Sequence, residues 1–272
     1  MTTTSPDFRS APGAPDPGAP DPGAPDPGHR SAGEGFGQTL RRLSAAQKGA
    51  TGAPAYSRFV NRTLGRVFAA AAYHLGLTPN AVTAISAAFT AAGIALIALR
   101  PPTGGVGVLI AACLVVGYAL DAADGQLARL RGGGSPAGEW LDHMVDAVKA
   151  SSLHLAVLIA LYRNDLVEPA LLLVPIGYCV VDAVTYFGTM LNEALRAQHG
   201  APTRAQRSHQ QPGVLRSLLV LPTDYGLLCC VFVLFGVPAL FVPLYTALFV
   251  AAAAFLLLAS VKWFREIGRL PR

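Results

Sequence analysis

Four aspartates at fixed spacing are where this chain could do chemistry. Asp121 and Asp124 stand at i, i+3, and Asp142 and Asp146 at i, i+4. On helices, each spacing puts both side chains on one face. Gly125 and Ala128 join the first face, Gly138 joins the second, and Arg129 flanks the first. Clustered carboxylates repel one another and resist ionising. Divalent cations held by oxygen ligands would relieve that repulsion. Glycine inside a helix costs about 1 kcal/mol against alanine, so glycines facing the acids point to room for a close ligand. The stretch reads as a metal site with space beside it for a phosphorylated group. Any one of these acids alone reads better as a solvated residue or a helix cap; the set carries the signal.

The elements that must hold these residues are helices in a membrane. Of 272 residues, 52% are hydrophobic and only 14% charged, against about 25% charged in soluble domains. The net charge of +5 could suit nucleic acid, but the basic residues lie between apolar runs. A membrane surface is the better partner, and no nucleic acid is expected. Cys113, Cys179, Cys229 and Cys230 all fall inside apolar runs without metal-ligand spacing, so they read as packing residues.

The predicted fold is all-α: a polytopic membrane protein of six transmembrane helices preceded by an amphipathic interfacial helix. Residues 1–52 read as a disordered Pro/Gly-rich tail, in which Gly-Ala-Pro-Asp-Pro occurs three times up to Pro27. Residues 55–75 form the amphipathic helix. Tyr56, Phe59, Val60, Leu64, Val67 and Phe68 recur at helical spacing, with Arg58, Arg62 and Arg66 on another face. The catalytic domain is 78–262, and 263–272 is a basic tail. Its spans are predicted at about 80–99, 105–130, 135–161, 169–191, 216–236 and 239–261, each near the ~20 residues that cross a bilayer. The fifth requires a kink at Pro222.

Charge orients the bundle. With the N-terminus inside, eighteen Lys/Arg fall in inside segments and only Arg100 and Arg163 in outside loops. Both termini and both halves of the aspartate motif are then cytoplasmic. Asp121 lies ~24 Å along its span at 1.5 Å per residue, near the cytoplasmic edge of a ~30 Å hydrocarbon layer. A substrate with acyl chains in lipid and its head in water could meet the site there.

Other polar residues have ordinary readings beside functional ones. Lys149 shares the Asp142/Asp146 face and reads as a phosphate contact or as an ion pair with Asp146 or Asp142. His143 lies off the carboxylate face and reads as a neighbour. Asp182, in mid-span, is either functional or an internally paired structural acid. Arg196, Arg204, Arg207 and Arg216 lie in a loop with no acids between Ala194 and Ser217. Such a loop commonly anchors to headgroups, but it would also steer an anionic acceptor.

The stretch Asp121–Asp146 resembles the signature of the CDP-alcohol phosphotransferase family, D-x2-D-G-x2-A-R-x8-G-x3-D-x3-D, at every fixed position. The resemblance implies attack of an acceptor hydroxyl on the β-phosphorus of a CDP-alcohol, with release of cytidine monophosphate. It implies that Asp121, Asp124, Asp142 and Asp146 hold one or two Mg²⁺ or Mn²⁺, that Asp146 is the general base, and that Gly125, Ala128, Arg129 and Gly138 shape the cytidine diphosphate pocket. It also implies a homodimer. The expected setting is phospholipid biosynthesis in a bacterial plasma membrane, with CDP-diacylglycerol as donor. The expected acceptor is a small alcohol, a phosphorylated polyol on the evidence of the arginine loop, with Lys149, Arg196, Arg204 and Arg207 as candidates for binding it; a neutral or lipid alcohol is the alternative. An ion-coupled transporter would also place acids in a membrane, but the halves of the chain show no repeat. A scaffold has no reason to keep four acids at a hydrocarbon edge.

Overall fold

A computed structural model describes residues 34–45, 54–202 and 221–271. Among these, every regular element is helical: α1 (Phe36–Ala45), α2 (Arg62–His74), α3 (Pro79–Leu99), α4 (Gly104–Leu130), α5 (Pro136–Arg163), α6 (Leu173–Gln198), α7 (Tyr225–Val231) and α8 (Pro238–Ile267). A π-helical turn, Ser57–Asn61, runs into α2, and single 3₁₀ segments precede α6 and follow α7. Five stretches are long and apolar enough to cross a bilayer: α3, α4, α5, Pro169–Gln198 and α8. The chain is an all-α polytopic membrane protein.

Among the described residues, the count of six spans is not confirmed. Tyr225–Gly236 is apolar but short, well below the ~20 residues a crossing needs. Asp224 caps its start by accepting from the Gly226 N–H at 3.0 Å. Gly236 and Pro238 end it, since proline opens a new helix and cannot continue an old one. Arg216, where the predicted span begins, lies outside the described residues, as do Arg204 and Arg207.

Local chemistry sets the helix ends around the motif. Thr78 caps α3 by accepting from the Ala81 N–H at 3.1 Å, with Pro79 at the first helical position. Gly132 and Gly133 have φ of +93° and +133°, which only glycine adopts without strain. They reverse the chain between α4 and α5. Ser135 then caps α5 by accepting from the Gly138 N–H at 3.0 Å. Both halves of the motif are thereby brought to one end of the bundle.

Two boundaries differ from expectation. Phe36–Ala45, expected within the structureless tail, is a helix. Its Thr39 and Leu43 are buried against α2 and α4, and the Thr39 hydroxyl lies 3.2 Å from His74 Nε2. The Pro-rich repeats end before residue 28, so a composition averaged over 1–52 hides this segment. At the other end α8 runs on to Ile267, because neither Gly nor Pro occurs between Val261 and Gly268.

The main core joins α4, α5, α6, α7 and α8 through Ile110, Leu114, Val157, Tyr178, Leu228, Phe241 and Tyr245. A smaller cluster, including Leu43, Ala69, Tyr73, Val82 and Leu127, packs α1 and α2 onto α3 and α4. The packed face of α2 combines Gly65 and alanines with Tyr73: a Cβ at Gly65 would meet Gln126 Nε2 at 2.8 Å. Leu64 and Val67 of α2, like Phe59 and Val60 of the turn before it, point outward instead.

Candidate active site

The motif aspartates converge where α4 ends and α5 begins. Lys149 Nζ lies between two of them, 3.0 Å from Asp121 Oδ1 and 2.7 Å from Asp146 Oδ1. Its side chain is only 8% exposed, so the ammonium bridges the two helices as a buried counter-charge. Asp124 is buried and accepts from the Thr83 hydroxyl of α3 at 2.5 Å. The carboxylates act on one another through space: Asp142 and Asp146 both act on Asp121, and Asp121 and Asp142 act on Asp124. Among the described residues, Lys149 pairs with Asp121 and Asp146, and Asp124 acts through space on Arg129.

The motif's remaining positions take distinct places. A Cβ at Gly125 would meet only Arg129 Nη1, at 3.4 Å, so the surface at Gly125 is otherwise open. Arg129 Nε is buried with no hydrogen-bond partner. Gly138 is different: a Cβ there would lie 2.9 Å from Asn80 Oδ1 and 3.2 Å from Ser135 Oγ. Its missing side chain admits the start of α3 to the start of α5. Ala128 lies half-buried on α4, and the Arg131 and Gly133 N–H groups donate to its carbonyl.

A family model for CDP-alcohol phosphatidyltransferase matches residues 76–265, which takes in all of this geometry. The chain belongs to the CDP-alcohol phosphatidyltransferase family. No individual curated protein matches it. Membership implies a transferase that moves a substituted phosphate group from a CDP-alcohol to an alcohol acceptor.

Three residues of this CDP-alcohol phosphatidyltransferase stand differently from the sequence reading. His143 is brought in: one ligand atom each from Asp142, His143 and Asp146 all lie within 4.8 Å of one another. His143 Nδ1 is also buried without a partner. The i, i+3 spacing of His143 and Asp146 was the signal available for this. Lys149 pairs with Asp146 and, across helices, with Asp121 rather than Asp142 among the ion pairs seen. Arg196 forms an ion pair with Glu266 of α8, which Lys262 also approaches at 3.6 Å. Thr83 and Tyr225 were missed altogether. The Tyr225 ring lies 5.6 Å from Lys149 Nζ, and nothing in sequence spacing links residues 149 and 225.

Proposed function

We propose that this protein transfers a phosphatidyl group from CDP-diacylglycerol to a small alcohol, releasing cytidine monophosphate, as a step of phospholipid biosynthesis at the cytoplasmic side of a membrane. The observation that carries the reading is the coincidence of the family match with the complete aspartate motif gathered at one end of α4 and α5. The exposed apolar residues of α2 support an interfacial position for that helix beside the site. A bacterial plasma membrane and a homodimer are further parts of this proposal.

The donor set fits a divalent cation such as Mg²⁺ or Mn²⁺. Carboxylate oxygens are the ligands such hard ions prefer, Asp142 and Asp146 each present one close to a ring nitrogen of His143, and His143 Nδ1 is buried without a hydrogen-bond partner. Asp121, Asp124, Asp142 and Asp146 would hold one or two ions. When bound, they would neutralise charge on the diphosphate and its leaving group.

The chain's own residues supply the rest. Phosphoryl transfer asks a protein for positioning and charge stabilisation more than for covalent chemistry. Gly125 leaves backbone accessible to the diphosphate, and Arg129, flanking it, offers a guanidinium to its oxygens. Ala128 and Gly138 shape the walls. Asp146 takes the acceptor's hydroxyl proton. The acceptor oxygen bonds to the β-phosphorus while the bond from that phosphorus to cytidine monophosphate breaks. Lys149, held between Asp121 and Asp146, fixes the two carboxylates relative to each other.

The test is cytidine monophosphate release by the purified protein in proteoliposomes carrying CDP-diacylglycerol, with a panel of small alcohols. Release that requires both an alcohol and Mg²⁺ or Mn²⁺ is the expected result. Absence of release with every alcohol and both ions would reject the reading.

A further inference from the structure

A second polar region lies deeper in the bundle, on the same helix as Lys149. His154 of α5 is fully buried. Its Nε2 is 2.9 Å from Asp182 Oδ2 of α6, and its Nδ1 is 2.6 Å from the Tyr245 hydroxyl of α8. Its ring stacks on Tyr178 at 3.9 Å between centroids. One assignment satisfies every atom: the Tyr245 hydroxyl donates to Nδ1, and Nε2–H donates to Asp182. In that assignment Asp182 Oδ2 accepts from the ring.

That carboxylate is not sealed in. Asp182 is 28% exposed, while His154 is 0% exposed. It lines a cavity of about 180 Å³ together with Tyr178, Thr185, Asp224, Tyr225 and Phe255, and among the described residues no Lys, Arg or His lines that cavity. Asp224 already accepts from the Ser57 and Gly226 N–H groups, so Asp182 is the acid with capacity to spare. Thr185 donates its proton to the Val181 carbonyl, which leaves its lone pairs to accept. The Tyr225 hydroxyl is buried with no oxygen or nitrogen to pair with. Tyr225 is also the residue whose ring approaches Lys149, so it stands between this cavity and the motif carboxylates.

The lining selects by charge. The two carboxylates would repel a phosphate. Carboxylate oxygens and aromatic faces both attract an ammonium group. We infer that this cavity is the acceptor pocket and that it takes a short amino alcohol, its ammonium held by Asp182 beside Tyr178 and Tyr225. The inference rests on the transfer reading for its role but makes its own claim about binding. It replaces the anionic acceptor expected from the arginine loop; of those arginines, Arg196 is committed to Glu266.

The experiment is calorimetric titration of the full-length protein in nanodiscs with ethanolamine and, separately, with glycerol 3-phosphate. The parent should bind ethanolamine and not glycerol 3-phosphate. Asp182→Asn should weaken ethanolamine binding about tenfold or more, as loss of a charge-assisted hydrogen bond implies. Tyr225→Phe and Thr185→Val, which keep shape, should weaken it by smaller factors and carry the test if Asp182→Asn does not fold. In steady-state assays the same variants should raise the KM for ethanolamine and spare that for CDP-diacylglycerol. Lack of ethanolamine binding by the parent, or equal binding by all folded variants, overturns the pocket. Preferential binding of glycerol 3-phosphate does the same. Binding that depends on Asp182 in a protein that releases no cytidine monophosphate with any alcohol would uphold the pocket and reject the transfer reading.

Discussion

Helix α5 carries two polar clusters, and they are built on opposite principles. Around Lys149, acids outnumber bases, and the one buried ammonium is shared between Asp121 and Asp146. Around His154, each polar atom of the imidazole has one partner, and the ring is stacked and fully buried. The first cluster crowds carboxylates together, a repulsion that a bound cation would relieve. The second is complete on its His154 side and leaves only an edge of Asp182 to the cavity. Incomplete clusters bind and react; complete ones fix the walls against which binding occurs.

The largest effect that would expose this difference is at the proton acceptor. Asp146→Asn removes a base with little change of shape. Cytidine monophosphate release should fall by about a hundredfold or more, the range expected for loss of general-base catalysis, while the protein remains inserted and folded. Turnover within a few-fold of the parent would remove Asp146 from that role.

The two clusters were not equally legible. The first is written in one stretch, Asp121 to Asp146, at helical spacings that force its residues onto shared faces. Only its links to α3 and α7, through Thr83 and Tyr225, needed the fold, because they join residues far apart in sequence. The second is assembled from α5, α6 and α8, with one partner from each, and no local pattern announces it. Asp182 was noticeable as a mid-span charge, but a lone His and Tyr among apolar residues gave no reason to pair them with it. The spans themselves were legible where an apolar run met a clear stop, as at Arg100-Pro101-Pro102. They were less legible before Tyr225–Gly236, where Pro222, Thr223 and Asp224 interrupt the apolar run just ahead of the helix. The segment Phe36–Ala45 was hidden because its helical spacing was averaged with the repeats before it.

A second prediction separates the clusters by their response to metal. Lys149→Met leaves Asp121 and Asp146 without their shared partner. Breaking a buried ion pair this way costs about 3 kcal/mol or more. The melting temperature should fall sharply in EDTA, and added Mg²⁺ should recover much of the loss, because a cation can stand where the ammonium stood. Equal melting temperatures of this variant with and without Mg²⁺ would argue that the carboxylates do not share a metal-binding region.

At the complete cluster the effect should be smaller and indifferent to metal. Tyr245→Phe removes the proton donated to His154 Nδ1 and leaves a buried acceptor unpaired, a loss of about 1–3 kcal/mol. The melting temperature should drop by the same amount in EDTA and in Mg²⁺. A Mg²⁺-dependent drop would mean that the two clusters are one electrostatic unit, and the contrast between them would fail.

The smallest effect is expected outside both clusters, at α1, and it sharpens the comparison by separating packing from charge. Helix α1 packs on the site-bearing end of the bundle mainly through its buried side: Leu43 joins the cluster of Ala69, Val82 and Leu127, and Thr39 meets His74, while Arg66 of α2 donates to the exposed Ser44. None of these contacts involves a motif aspartate. Deletion of residues 2–33 removes the Pro-rich repeats and leaves α1 in place, so both turnover and melting temperature should match the parent. Deletion of residues 2–45 also uncovers the apolar surface that Leu43 shields. Burying a leucine contributes roughly 1.5–3 kcal/mol, so this longer deletion should lower the melting temperature by a few degrees while the KM for CDP-diacylglycerol stays within about twofold of the parent. Thermal unfolding of the two truncations beside the parent decides it. Equal melting temperatures for both deletions would show that α1 adds no stability, and a lost turnover in the shorter deletion would show that the repeats act on the site itself.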